Sequence, residues 1–175
     1  MDHPARRTEA PRTDDFETGV SADDGLELRV WLRLLTCSTL IEHGVRQGLH
    51  RSFETTLPRF DVLAQLQRAG KPLSMGDLSR RLMVTNGNVT GLVDRLKSEG
   101  LVDRRRADGD RRVQIVSLTP EGAASFERMA ADNRRWVTGM MAGLSREEKD
   151  ALFALLGRLK SAVLDAGQTT EEANE

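Results

Sequence analysis

The chain has 175 residues, a formal charge of −1, 38% hydrophobic residues and only 4% aromatics, with no Tyr. That length suits one compact domain of usual size with tails, and the composition suits a Leu/Ala/Val-rich helical core. A single Cys excludes an internal disulfide and fits a reducing cytoplasm, and no apolar run reaches the length of a membrane span.

The charge is unevenly spread, and its distribution says more than its sum. Residues 1–27 hold three basic and eight acidic side chains, and residues 165–175 hold four acids and no base. Residues 80–112 hold nine bases and five acids. Residues 1–24 are polar, Pro-containing and aperiodic, and are expected to form a disordered acidic arm without an apolar signal-peptide centre.

A long helix is expected from Leu26 to about Ser52, with Leu28, Trp31, Leu32, Leu35, Thr39, Ile41 and Val45 at mixed spacings of three and four. Gly44 and Gly48 weaken its second half and allow another segment to pack close. His43 and His50 are seven apart and share a face, either as partly buried polar residues or as ligand contacts. With three His, one Cys and no tight cluster, no metal site is expected, and no cofactor. Cys37 lies among leucines, where a small buried residue needs no function; redox sensing is the alternative.

A second helix opens at Leu57 with Pro58 in its first turn, carries Phe60, Leu63, Ala64 and Leu66 inward, and ends at Gly70-Lys71-Pro72. A short helix from Ser74 to Leu82 follows, with Ser74 and Asp77 in capping-box-like spacing and Arg80 and Arg81 able to reach phosphate. After the turn at Met83-Val84-Thr85, Val89, Leu92, Val93 and Leu96 form one buried stripe. Thr85 stands where it can cap this helix, and Gly100 where it can end it. The opposite face carries Asn86, Asn88, Thr90, Asp94 and Arg95 with Gly87 and Gly91 between them. Asn can pair with adenine, Thr can touch the thymine methyl and Arg can bond guanine or phosphate. The competing reading is a solvated helix face.

Leu101–Arg106 and Val113–Leu118 flank an Asp-Gly turn and read as a hairpin. Arg104, Arg105, Arg106, Arg111 and Arg112 crowd this ribbon, and phosphates could offset their repulsion; a surface salt-bridge lattice is the alternative. Thr119-Pro120 then starts a long helix marked by Phe126, Met129, Ala130, Asn133, Trp136, Val137 and Met140, closed by Gly143. Ser145 and Glu148 form a capping box for a last helix through Val163, with Leu152, Leu155, Leu156, Leu159 and Val163 in a broad stripe. Helices this apolar at the end of one small domain point to pairing with a second chain. An acidic tail from Asp165 is expected to be disordered.

Taken together, Leu78-Ser79-Arg80-Arg81-Leu82-Met83-Val84, Val89–Leu96, Glu99-Gly100-Leu101-Val102, Asp108 with Asp110-Arg111-Arg112, and Leu118-Thr119-Pro120-Glu121-Gly122 resemble the MarR family of winged-helix regulators, in order and spacing over roughly residues 26–164. The departure is the Gly pair around Asn88, where many members have Ser or Thr. The resemblance implies a mainly α fold with a small β-hairpin wing. A winged helix-turn-helix would occupy 57–118, and residues 25–56 with 119–164 a helical dimerisation region. It implies a transcriptional repressor in the cytoplasm, binding double-stranded DNA at an inverted repeat as a homodimer, with no membrane association and no enzymatic activity.

On this reading Asn86, Asn88 and Thr90 read bases; Arg80, Arg81, Thr85, Arg95 and Lys97 hold the DNA; Arg111, with Arg112 as runner-up, enters the minor groove. The resemblance also implies a small effector, an aromatic acid or its CoA thioester, and the helix-turn-helix stretch is similar to members regulating aromatic catabolism. Trp31, His43, Arg46, His50, Arg59, Asn133 and Trp136 are its lining candidates, against plain core packing for the two Trp. The rival classes are a winged-helix protein-interaction module without DNA binding and a cysteine-based redox-sensing regulator. An enzyme lacks parts here: there is no nucleophile–base motif and no phosphate loop.

Overall fold

A computed structural model describes residues 16–17, 21, 25–107 and 112–172. Six helices and three short strands are present among them: α1 (Leu26–Phe53), α2 (Leu57–Ala69), β1 (Leu73–Ser74), α3 (Met75–Leu82), α4 (Asn86–Ser98), β2 (Val102–Arg106), β3 (Gln114–Leu118), α5 (Pro120–Met140) and α6 (Arg146–Glu172). The mainly helical fold with a small antiparallel wing is therefore present. The chain divides into two compact units, one ending at Trp136 and one beginning at Val137.

In the first unit the helix ends obey local chemistry. Ser74 caps α3, its Oγ accepting the Asp77 N–H at 3.0 Å. Thr119 caps α5, its Oγ1 accepting the Gly122 N–H at 2.9 Å while its hydroxyl donates to the Gly100 carbonyl at 2.7 Å. Gly70 and Gly100 take left-handed φ of 61° and 73° after α2 and α4, as helix-terminating residues do. Past α4 the Gly100 N–H donates to Lys97 O and the Leu101 N–H to Leu96 O, which turns the chain directly into β2.

The sheet order is β1-β3-β2, all antiparallel. Val102 pairs with Leu118, Arg104 with Val116 and Arg106 with Gln114, and the Ala107 N–H donates to Val113 O at 2.9 Å beyond the last pair. β1 is the element the sequence reading lacked. Its two residues, Leu73↔Val116 and Ser74↔Ile115, are too short to show alternation.

The core joins Val45 and Leu49 of α1, Phe60, Val62, Leu63 and Leu66 of α2, and Leu78 of α3 to Val89, Val93 and Leu96 of α4, Val102, Val116 and Met129. Phe60 stacks on Phe126 with centroids 5.5 Å apart. On α2 the inner face includes Val62, fully buried, whereas the expected Ala64 is only half-buried. Cys37, expected inside, is exposed. The acidic arm at 1–24 falls almost wholly outside the described residues; within it, Glu17 pairs with Arg33 of α1.

In the second unit Ser145 and Glu148 form a reciprocal capping box, with Glu148 N–H to Ser145 Oγ at 3.1 Å and Ser145 N–H to Glu148 Oε2 at 2.7 Å. α6 continues past the expected end at Val163 to Glu172, which corrects the disordered tail from Asp165. No Pro interrupts residues 164–172, and extending a formed helix costs far less than nucleating one. Among the described residues no helix is long and apolar enough to cross a membrane.

Candidate nucleic-acid interface

α3, the turn at Met83–Thr85 and α4 build a helix-turn-helix. The turn is held by its own backbone. Met83 adopts φ 55°, its N–H donates to Arg80 O at 3.3 Å, and the Val84 N–H donates to Ser79 O at 3.2 Å. The Ser79 hydroxyl also donates to the Val84 carbonyl. Left-handed φ is uncommon for a residue with a side chain; Met83 adopts it as the C-cap of α3, with its side chain 93% exposed. At the start of α3, the Ser74 hydroxyl and its neighbour Arg80 hold the Asp77 carboxyl below the usual carboxylate range, the hydroxyl being the larger cause. Arg80 is ion-paired to Asp77, and Arg81 is exposed.

α4 divides cleanly. Val89, Val93 and Leu96 are fully buried, while Gly87, Asn88, Gly91, Asp94, Arg95 and Lys97 are exposed and Thr90 is half-buried. With 100° per residue, Gly87, Gly91 and Ser98 lie along the middle of the outward face. Asn88 and Arg95 flank it on one side, Thr90, Asp94 and Lys97 on the other. Cβ atoms built at Gly87 and Gly91 would meet nothing within 4 Å, so the centre of this face is bare backbone. Thr85 occupies the expected N-cap position with extended ψ of 150°, but its side chain accepts no cap hydrogen bond; only its carbonyl is engaged, by the Val89 N–H at 3.3 Å. Asn86 is the first residue of α4, and its side chain lies outside the described set.

Two arginines from neighbouring elements grip α4. Arg59 of α2 is ion-paired to Glu99, its guanidinium largely buried and its Nε without a partner. Burial, with a smaller contribution from Arg95, pushes the Arg59 pKa down. Arg104 of β2 donates from Nη1 to Asp94 Oδ1 at 2.5 Å and from Nε to Gln114 Oε1. Between α4 and the hairpin lies a groove of about 310 Å³ lined by Asp94, Lys97, Arg104, Arg105, Arg106 and Gln114. Of the wing-tip candidates, Arg112 is exposed and Arg111 lies outside the described residues. Arg104, expected only as one of five hairpin arginines facing phosphate, is instead paired within the protein. The signal was available: strand alternation places it on the same face as buried Val102, and a charge there needs a partner.

The seven effector candidates are not gathered in that groove. Trp31 is 58% exposed, His50 is exposed, His43 hydrogen-bonds Gln47 at 2.7 Å, and Arg46 is paired with Glu42. Trp136 packs edge-on against Phe53 with centroids 6.5 Å apart and covers Gly48, where an added Cβ would sit 2.6 Å from the indole. Asn133 Oδ1 is buried without a partner. Asp61 of α2 is driven up in pKa by burial first and by Glu42 second, against a lowering by Arg46.

Comparison with known proteins places this geometry. Residues 53–113 match the model of the MarR family, covering α2, the helix-turn-helix and the first strand of the wing. The chain is 33% identical over 130 residues to the HTH-type transcriptional regulator PecS of Dickeya dadantii, spanning 73% of this chain and 78% of that protein. Its fold matches the crystal structure of wild-type MarR from E. coli with a TM-score of 0.65 at 26% identity, covering 73% of this chain and 94% of that one. It also matches BpsR of Bordetella bronchiseptica, whose DNA binding is regulated by 6-hydroxynicotinic acid, with a TM-score of 0.66 at 25% identity over 75% of this chain and 98% of that one. The chain belongs to the MarR family of winged helix-turn-helix regulators and is a DNA-binding transcriptional regulator, not an enzyme.

Proposed function

We propose that this regulator is a repressor that binds an inverted-repeat operator as a homodimer and leaves it when a small aromatic anion binds. The observation that carries the DNA-binding mode is the outward face of α4, bare at its centre and flanked by amide, hydroxyl and guanidinium groups, beside a cationic hairpin in the same unit. In this mode α4 lies in the major groove. Asn86, Asn88 and Thr90 read bases there, and Arg80, Arg81, Thr85, Arg95 and Lys97 hold the backbone. Arg111, or Arg112, enters the adjacent minor groove.

The homodimer is supported by α6. Leu152, Phe153, Leu155, Leu156, Leu159, Val163 and Leu164 are each at least 40% exposed, Phe153 reaching 82%. A continuous apolar face of that size on one helix is not left to water in a soluble chain. α1, α5 and α6 form the dimerisation region on this reading, and twofold symmetry sets the two reading helices about one DNA turn apart.

The effector reading rests on Arg59. Its guanidinium ties α2 to the C-terminal end of α4, and an aromatic carboxylate competing with Glu99 for it would loosen the reading helix. The neighbour regulated by a pyridine carboxylic acid supports this class of ligand. Trp31, His43, Arg46, His50, Asn133 and Trp136 complete the candidate set. An aromatic acid and its CoA thioester are the two forms to compare.

Selection of bound duplexes from a random library, followed by release assays with 6-hydroxynicotinic acid, benzoate and benzoyl-CoA, tests this. The expected result is an enriched inverted repeat released by one of the three. Enrichment of no duplex contradicts the operator reading, and a winged-helix protein-interaction module would then be the better description.

A further inference from the structure

Docking α4 in a major groove and the hairpin in the neighbouring minor groove has a geometric consequence. The sugar–phosphate strand that divides those grooves must pass between the two elements. The surface there is the groove lined by Lys97, Arg104, Arg105 and Arg106, and it also contains an acid, Asp94. An unpaired carboxylate in the path of a phosphate only weakens binding. Asp94 is not unpaired: it holds Arg104 Nη1 at 2.5 Å.

Arg104 is the least exposed cation of this set for which an ion pair is seen, with its side chain 20% exposed against 58% for Asp94. Its Nε reaches Gln114, on the strand opposite. One guanidinium therefore ties α4, β2 and β3. β2 alternation puts Val102, Arg104 and Arg106 on one face, so Arg106 stands further along that face toward the tip, opposite Gln114 in the ladder.

We propose that this groove seats the DNA strand between the two docked elements, with Lys97 and Arg106 contacting its phosphates. In it Arg104, held by Asp94 and Gln114, is a positioning residue that sets the distance from wing to reading helix. Asp94 then trades affinity for selectivity. It lowers attraction to any polyanion, and it keeps the wing where only a correctly placed major-groove site lets both elements engage. The proposal rests on the docking mode of the preceding subsection.

The test uses the full chain, a duplex carrying the selected inverted repeat, a random duplex of equal length, and amide hydrogen exchange on the DNA-free protein. Without DNA, Asp94→Asn and Arg104→Lys speed exchange in residues 102–106 and 114–118 relative to α2, and Asp94→Glu restores protection. Unchanged hairpin exchange overturns the positioning role. With DNA, Asp94→Asn tightens random-duplex binding roughly threefold, as removal of one acid near a polyanion should. It lowers the ratio of selected to random affinity, and Asp94→Glu restores that ratio. Equal tightening on both duplexes makes Asp94 a bystander and overturns the selectivity claim. Arg106→Ala and Lys97→Ala each flatten the log–log salt dependence by about one unit per chain on both duplexes; an unchanged slope overturns the phosphate seat. Wild-type protein without any salt-dependent binding sinks seat and docking mode together, while the exchange experiment still decides the role of Arg104.

Discussion

Gly91 separates stability from recognition. It lies in the middle of α4, exposed and helical, and a Cβ there touches nothing within 4 Å. With no steric cost, Gly91→Ala should recover the helix-propensity difference of about 1 kcal/mol. For a chain of this size that raises Tm by roughly 2–4 °C. Gly91→Met keeps nearly all of this gain, since Met and Ala differ little in propensity. It also stands a long side chain on the face said to approach base edges. Loss of close apposition there should cost about 1–3 kcal/mol, a fall of roughly fivefold to 150-fold in operator affinity. Thermal melting by circular dichroism and fluorescence anisotropy with the selected duplex at one fixed salt concentration measure the two effects. A more stable Gly91→Met protein that binds the duplex as tightly as wild type would refute the reasoning, because the centre of α4 would then not face DNA.

Four further outcomes follow from the geometry. A Cβ at Gly122 would lie 1.8 Å from the Leu101 carbonyl oxygen, a backbone atom that also accepts the Thr119 N–H, so Gly122→Ala should destabilise by about 3 kcal/mol or more in urea titration. Ser145→Ala removes one half of the capping box and should lower helicity and stability by about 1 kcal/mol, read as a fall in the circular-dichroism melting curve. The Asp61 carboxyl titrates above its ordinary range, so its charged form opposes folding. Stability from its protonated form is full below the unfolded carboxylate pKa and lost as pH rises through the higher folded value. Asp61→Asn should therefore raise Tm at neutral pH, with the gain disappearing as pH falls below the ordinary carboxylate range; a constant gain at all pH would contradict it. Phe153→Asp with Leu156→Asp should halve the sedimentation mass if α6 pairs two chains; an unchanged mass removes α6 from the dimer interface.

Where the chain advertises its structure, it does so through residues whose chemistry acts locally. Ser74, Thr119 and Ser145 each cap the helix that follows, and of the stripe at Val89, Leu92, Val93 and Leu96 all but the half-buried Leu92 are buried as their spacing demands. Thr85 shows the limit of such signals. Its position is right and its backbone is a cap, yet its hydroxyl is not used, because side-chain rotamer is chosen by surroundings that local sequence does not reveal. β1 escaped notice because two residues gain strand character only by pairing with β3, a non-local event. Arg59 and Arg104 were read by residue type, as effector or phosphate candidates. Their actual partners, Glu99 and Asp94, sit 40 and 10 positions away in sequence, and only the packing of α2 and β2 against α4 brings them together. The same holds for Trp136, whose contacts with Gly48 and Phe53 are a packing relation reaching across 88 positions of chain.

The central claim is that the outward face of α4 and the cationic hairpin read DNA together. The most direct measurement is the salt dependence of affinity for the selected inverted repeat, comparing wild type with Arg111→Ala and Arg112→Ala. The account predicts a steep log–log slope in the wild type that flattens by about one unit per chain for an arginine engaged with DNA. A duplex affinity indifferent to salt, or left intact when both arginines are removed, would contradict it.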